Sequence, residues 1–286
     1  MTVDAGPRTV AAAIGLAAER LAAARISAPR REALRLWSGS AGPAAELELL
    51  RDPALPLDGA RAAEFALAVE RRAGGEPLAY VSGRAGFRHL ELRCDRRALI
   101  PRPETEGLVD LVLARAAGGR LADIGTGSGC IALSLATEGS FDQLVAVDCS
   151  EPALALAREN VRLSGAAVQL VASDFATALA DASCDALVSN PPYLSEAELA
   201  ALDPAVRDWE PTLALVSGSD GFRATDALLA DGLRVIRPGG WIALELDCSR
   251  AAESARRAAR LGWTGVAIFH DLFGRERYLL AQRSEA

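Results

Sequence analysis

The rhythm of apolar and polar positions changes twice along the 286 residues. From residue 8 to about 74, large apolar side chains recur at helical spacing: Leu16 and Leu21, Leu34 and Trp37, Leu47 and Leu50, then Phe65, Leu67 and Val69. Pro29, the Gly39–Pro43 cluster and the stretch from Pro53 to Gly59 cut the run into short helices. Residues 1–75 therefore read as a small all-helical domain. Residues 76–105 read as an extended connector carrying a β-hairpin. Gly74-Gly75 closes the last helix, and Leu90, Leu92 and Cys94 alternate with charged residues as in a half-exposed strand. Pro101 and Pro103 stiffen the chain on either side of Arg102.

From residue 106 to 286, strands alternate with helices. The expected strands are 120–124, 144–148, 168–172, 186–189, 241–246, 264–269 and 277–281; the expected helices between them are 130–137, 152–164, 222–236 and 250–261. Apolar strands joined by helices predict an α/β fold: a seven-stranded, mostly parallel sheet covered on both faces. The last two strands share a short link containing Gly274, which predicts an antiparallel last strand at the sheet edge. Ligands of such sheets bind at the carboxyl ends of the strands.

Composition narrows the chemistry. Half the residues are hydrophobic, and the net charge is −7 with a pI near 5.1. An acidic chain without a basic tract argues against gripping a nucleic-acid backbone. All 31 basic residues are Arg, which excludes a catalytic lysine. Five scattered cysteines with no CxxC pair, and only two histidines, argue against zinc and against a disulfide framework. Reduced thiols and a cytoplasmic location are expected. The N-terminal apolar patch is preceded by acid and proline and interrupted by Glu19-Arg20; it reads as neither a signal peptide nor a membrane span.

Two stretches carry candidate chemistry. The first, "LADIGTGSGCIALSLA", is a strand, a glycine-rich turn and a helix. Gly125, Gly127 and Gly129 permit positive φ and close approach of a ligand to the backbone. The helix start that follows offers free N–H groups. The spacing is GxGxG rather than GxGxxG, and Asp123 precedes it; an acid there suits a cationic ligand better than a pyrophosphate. Asp148 ends the next strand, where a carboxylate accepts ribose hydroxyls. Asp174 and Phe175 follow the third strand and suit an adenine amino group and ring. Together with Thr126 and Ser128 of the turn, they describe a nucleoside ligand bearing an amino acid and a positive charge, without phosphate: S-adenosylmethionine. NAD is the alternative.

The second stretch is Asn190-Pro191-Pro192-Tyr193, which stops an apolar strand abruptly. A residue before proline is driven out of the α region, so Asn190 is held extended at the strand's carboxyl edge. Proline has no N–H, so the corner presents acceptors without competing donors, and Tyr193 supplies a flat face. Such a corner suits a planar NH2 group: the Asn190 side-chain oxygen and a proline carbonyl each take one hydrogen, and the nitrogen faces the methyl donor.

These residues resemble the HemK/PrmC protein-(glutamine-N5) methyltransferases, over roughly residues 76–283. The resemblance is carried by "LIPRPETE", "DIGTGSGCIALSLA", "AVDCSEPALALARENVRLSG", "SNPPYL", "DWEPTLAL" and "RPGGWIALEL". It implies a class I S-adenosylmethionine-dependent methyltransferase fold behind a helical substrate-docking domain. The implied reaction methylates the Gln of the Gly-Gly-Gln loop in class I peptide-chain release factors. The implied enzyme is a cytoplasmic monomer with no stable nucleic-acid or membrane partner. Gly125 to Gly129, Asp148 and Asn190 would bind the cofactor, with Phe175 where the family commonly has Trp. Asn190 to Tyr193 would hold the glutamine, with Asn190, Pro191 and Tyr193 as the catalytic set. Phe87, Arg102 and Pro103 lie in segments that would close over the cofactor. The chain departs from the family pattern at Asp247, where Gly is usual, at His270, where Lys is common, and after Phe87. Two other readings are an amino methyltransferase acting on nucleic acid, and a relative that methylates another protein or a small molecule.

Overall fold

Alanine-rich helices bury a face with few large side chains, and the first third of the chain does so. The computed structural model describes residues 7–42, 45–52, 54–116 and 118–285; Pro43 and Pro53, two of the expected helix breakers, lie outside them. Helix α1 (Val10–Ala23) starts at Thr9, whose Oγ1 accepts the Ala12 N–H at 3.3 Å. It buries Val10, Ala13, Ile14, Ala17 and Leu21, a single helical stripe. Helices α2 (Pro29–Ala41), α3 (Ala45–Arg51), α4 (Gly59–Ala73) and α5 (Leu78–Ser82) follow. The Trp37 and Phe65 rings meet edge to face, 5.5 Å apart, inside this core. The large-residue pattern misassigned part of it. Leu16, Leu47, Leu50 and Leu67 are at least half exposed, because the buried stripes are filled by alanines beside Ile14, Leu36 and Val69. This unit extends to Arg84, beyond the expected boundary at 75, and includes Pro204–Trp209. Within it, Leu78–Ser82 is helix rather than extended connector.

The second unit comprises Ala85–Asp203 and Glu210–Ala286. Strands β1 (Arg84–Phe87) and β2 (Leu90–Arg93) form a hairpin. Helix α6 (Pro103–Arg115) begins inside the expected connector, with proline in its first turn, where a missing N–H costs nothing. The alternating elements are β3 (Arg120–Ile124), α7 (Cys130–Glu138), β4 (Gln143–Asp148), α8 (Glu151–Ser164), β5 (Gln169–Ala172), β6 (Cys184–Ser189), α9 (Glu196–Leu199), α10 (Pro204–Arg207), a 3₁₀ turn (Thr212–Ala214), α11 (Arg223–Val235), β7 (Ile236–Glu245), α12 (Ala251–Leu261), β8 (Thr264–His270) and β9 (Glu276–Gln282). Of these, α10 belongs to the helical unit.

The seven strands are ordered β5-β4-β3-β6-β7-β9-β8. All run parallel except β9, which is antiparallel to both neighbours. The reversed last strand is not the edge strand. It inserts between β7 and β8, and Tyr278–Ala281 are all buried, whereas the edge strand β8 leaves Phe269 40% exposed. Strand β7 starts five residues earlier than expected, with a register break opposite Cys184–Ala186. A side chain at Gly240 would sit 2.5 Å from the Asp185 carbonyl, so only glycine lets the strands stay paired there.

Apolar clusters cover both sheet faces. Ala122, Val147, Leu187 and Leu244 point to one; Leu121, Leu144, Val188 and Ala243 point to the other. Ile124, Asp148, Ala172, Ser189 and Glu245 end their strands along one edge. Among the described residues, no helix is long and apolar enough to cross a membrane.

Candidate active site

An open cleft lies at that edge, within the second unit. The glycine turn forms its floor. Gly125, Gly127 and Gly129 have φ of +72°, +56° and +86°, conformations that other residues enter at a cost. The turn is tied to β4, where the Val147 carbonyl accepts the N–H groups of Gly125 at 2.8 Å and Thr126 at 2.9 Å. Asn160 of α8 pins it from behind, donating Nδ2 to the Ser128 carbonyl at 2.9 Å.

Asp148 stands on the cleft wall. Its Oδ2 accepts the Gly127 N–H and its Oδ1 the Ser150 N–H, each at 2.9 Å. Each carboxylate oxygen keeps a second lone pair, so the group remains able to accept two hydroxyls. Burial holds its carboxyl above the usual range, against the pull of those backbone donors. Asp123 behaves differently. It is fully buried and absent from the cleft wall. Its Oδ2 accepts the Thr126 hydroxyl at 2.6 Å and the Ala132 N–H at 3.2 Å, while Oδ1 has no partner among the described residues. Burial pushes it up to about 7. The acid before the turn therefore braces the loop and does not face a ligand.

Thr126, Ser128, Asp174, Phe175 and Arg102 line the same cleft as Gly125, Gly127 and Asp148. Phe175 sits at φ +47°, a left-handed conformation rare for an aromatic residue, and packs partly against the sheet core. Arg102 donates Nη2 to Glu210 Oε1 at 2.5 Å, and Glu210 Oε2 accepts the Ile100 N–H at 3.1 Å. That carboxylate, 1% exposed, ties the strap 97–102 to the segment holding Pro211, Leu213 and Ala214, which also lines the cleft. Gly129 caps α7 just behind the wall.

Phe87 is not at the cleft. It is 1% exposed and packs with Leu92, Leu108 and Val109 in the core; an aromatic on an apolar hairpin strand is worth more buried than at a polar rim.

At the Asn-Pro-Pro-Tyr corner, Ser189 is buried and donates Oγ to the Ile124 carbonyl at 2.6 Å, locking the end of β6 to β3. Asn190 and Pro192 face the cleft; Pro191 is buried and Tyr193 half-buried beside it, outside the wall. Burial pushes the Tyr193 phenol up to about 12. Asn190 Nδ2 donates to Thr105 Oγ1 at 3.0 Å. Among the described residues, Oδ1 of Asn190 accepts nothing. The Glu245 carboxylate, at the end of β7, lies close to Thr105. Glu245 is 1% exposed, its Oε2 has no partner among the described residues, and burial pushes it up to about 7. Neither Thr105 nor Glu245 was assigned a role from the sequence. A carboxylate inside the apolar run "WIALEL" was the available signal, because such a group is seldom buried without a task.

The turn with its exposed backbone, the spare lone pairs of Asp148 and the adjacent aromatic fit S-adenosylmethionine. Comparisons with known proteins agree. Residues 104–205 match the methyltransferase small domain, and residues 12–83 match the PrmC N-terminal domain. The release factor glutamine methyltransferase of Nitratidesulfovibrio vulgaris is 38% identical, over 94% of this chain and 93% of its own length. That of Moorella thermoacetica is 40% identical, over 97% and 99%. A methyltransferase of Pyrococcus furiosus with a solved structure shares the fold, at 20% identity and a TM-score of 0.54, covering 68% of this chain and 89% of its own.

Proposed function

The chain belongs to the release factor glutamine methyltransferase family and is an S-adenosylmethionine-dependent methyltransferase; from that membership we propose that it methylates the side-chain amide nitrogen of a glutamine in a class I peptide-chain release factor, at the corner Asn190–Tyr193. The observation that carries the site assignment is the Asn190 amide. Its NH2 is committed to Thr105 at 3.0 Å, so its oxygen is the group left for a substrate in the cleft that Asp148 and the glycine turn also line.

S-adenosylmethionine, when bound, supplies an electrophilic methyl group. The chain's residues supply position and charge. Gly125 to Ser128 and Asp148 would hold the nucleoside, Arg102, Asp174 and Phe175 line the same cleft, and Asn190 faces it. Asn190 Oδ1 and a proline carbonyl take the two hydrogens of the incoming amide and keep its plane fixed. An amide nitrogen is a weak nucleophile because its lone pair is delocalised. Two acceptors aimed at its hydrogens favour the positive charge that develops as the nitrogen is alkylated, the counterpart of an oxyanion hole. Orientation of this kind contributes on the order of 7–11 kcal/mol in favourable cases. No basic residue is required before transfer, because the proton leaves the alkylated nitrogen readily. The Tyr193 phenol, pushed up to about 12 by burial, stays neutral beside the corner.

We assign substrate docking to the helical unit that reaches Arg84 and catalysis to the second unit; the match of residues 12–83 to the PrmC N-terminal domain supports the first. The acidic charge of −7 supports a protein rather than a nucleic-acid substrate, and we take the enzyme to act as a cytoplasmic monomer. The decisive experiment incubates the protein with a class I release factor and labelled cofactor and maps the label by peptide mass spectrometry. Label on the Gly-Gly-Gln glutamine is expected; label on RNA or on a small metabolite would overturn the substrate.

A further inference from the structure

We propose that Leu272 and Phe273, on the turn between β8 and β9, form a docking knuckle for the protein substrate and pack against an apolar patch of the release factor beside its glutamine loop. This rests on the substrate reading above.

The turn is firmly built, yet it presents apolar side chains to water. The Asp271 side chain is buried. Its Oδ1 accepts the N–H groups of Phe273 at 2.9 Å and Arg275 at 3.0 Å, and its Oδ2 accepts the Arg275 guanidinium at 2.9 Å. The Asp271 carbonyl accepts the Gly274 N–H at 2.9 Å, with Gly274 at φ +75°. On this frame Leu272 is 99% exposed and Phe273 76%, and Phe269 near the end of β8 adds a third exposed apolar side chain within five residues. Exposed leucines scattered singly are ordinary, whereas exposed apolar side chains gathered on one turn mark a contact surface. The Arg275 guanidinium lies 5.1 Å from the centre of the Phe273 ring and restrains it. An aromatic and an aliphatic side chain held in place in this way lose little freedom when covered, and so suit the centre of an interface.

The position of the turn says what covers it. Strand β8 runs parallel to β6, because β9 is antiparallel to both β7 and β8. The carboxyl end of β8 and the turn that follows therefore lie along the same sheet edge as Asn190. The turn is also tied to the corner. Arg275 Nη2 donates to Glu104 Oε1 at 3.2 Å, and Tyr278 Oη donates to the Glu104 carbonyl at 2.5 Å. The next residue, Thr105, accepts the Asn190 Nδ2 at 3.0 Å. Knuckle and corner are thus parts of one continuous rim. A small molecule in the corner would leave the knuckle wet. A protein that inserts a glutamine side chain there must lay the surface around that glutamine on the rim. The charges beside the knuckle are already matched, Arg275 with Asp271 and Glu104, so the complementary surface is apolar.

The test uses the full chain and the variants Leu272→Ala, Phe273→Ala and the double variant. Both side chains are exposed, so melting temperature and calorimetric affinity for S-adenosylmethionine should match the wild type. In methyl transfer to an intact class I release factor, each single variant should raise the KM for the release factor on the order of tenfold, the scale of an interface anchor. The double variant should raise it further, and kcat at saturation should not change. Leu163→Ala is the control. Leu163 is exposed at the carboxyl end of α8, a helix that starts beside the end of β4 and runs to the opposite edge of the sheet; its KM should equal that of the wild type. An unchanged KM in the double variant overturns the knuckle, and the labelled release factor in the same assay upholds the substrate. An equal rise in Leu163→Ala also overturns the knuckle. A wild-type protein that is dimeric by sedimentation velocity, with a monomeric double variant of unchanged KM, overturns it in favour of a second copy of this chain. No transfer to the release factor by the wild type rejects the substrate reading, and the knuckle with it.

Discussion

The N–H of Gly127 and the carboxylate of Asp148 are joined at 2.9 Å, so the glycine turn and the end of β4 form one rigid wall of the cleft. Asp148 has two tasks at once, bracing the loop and presenting its remaining lone pairs. Asp148→Asn keeps the shape and removes the charge. Hydrogen bonds to charged groups contribute about 1.5–3 kcal/mol, so affinity for S-adenosylmethionine should fall roughly ten- to a hundredfold. Titration calorimetry checks it; unchanged affinity would remove Asp148 from the nucleoside site.

Asn190→Ala should leave a folded protein whose kcat falls by about two to three orders of magnitude, the scale seen when one preorganised partner of a developing charge is removed. Cofactor affinity should change far less than in Asp148→Asn. Single-turnover assays with the release factor separate the two effects. Near-normal turnover would place the amide acceptor elsewhere.

Much of this site was legible in the sequence because its chemistry is local. The GxGxG turn, Asp148 at the next strand end and Asn-Pro-Pro-Tyr each announce a backbone geometry within a few residues. What escaped is tertiary. Thr105 and Asn190 are 85 positions apart, and Arg102 and Glu210 are 108 apart; no periodicity carries such pairs. The family resemblance puts Phe87 in a segment that closes over the cofactor, whereas the hairpin turns it into the core. The reversed strand β9 was placed at the edge because a short link looks the same whether the strand ends the sheet or slips inside it. Its unbroken run Tyr278–Ala281 was the clue, since a strand buried on both faces reads as continuously apolar.

The Glu210 carboxylate holds both Arg102 and the Ile100 N–H, and so clasps two segments of the cleft rim. Glu210→Ala leaves a buried donor and a partly exposed guanidinium without their partner. Such losses cost about 1–3 kcal/mol, so the melting temperature should drop by several degrees. With the strap loosened, cofactor should dissociate faster. Stopped-flow release from the purified variant measures this; an unaltered off-rate would mean that the clasp serves stability alone.

Asp123 gives a stability prediction with a definite sign. Its carboxyl titrates near 3.8 in the unfolded chain and is pushed by burial up to about 7 in the fold. Between those values the folded protein binds the proton that the unfolded chain has released, so its contribution to stability is fully present below pH 4 and is lost as pH rises through about 7. Each pH unit of separation corresponds to about 1.4 kcal/mol, so the total is on the order of a few kcal/mol. Asp123→Asn keeps one oxygen for Thr126 and Ala132 and places an uncharged NH2 where Oδ1 has no partner. The variant should therefore be more stable than the wild type at pH 8, with the gap closing toward pH 4. Urea denaturation across that range, followed by tryptophan fluorescence, measures the gap. A gap that does not depend on pH would show that the Asp123 carboxyl is already ionised in the fold.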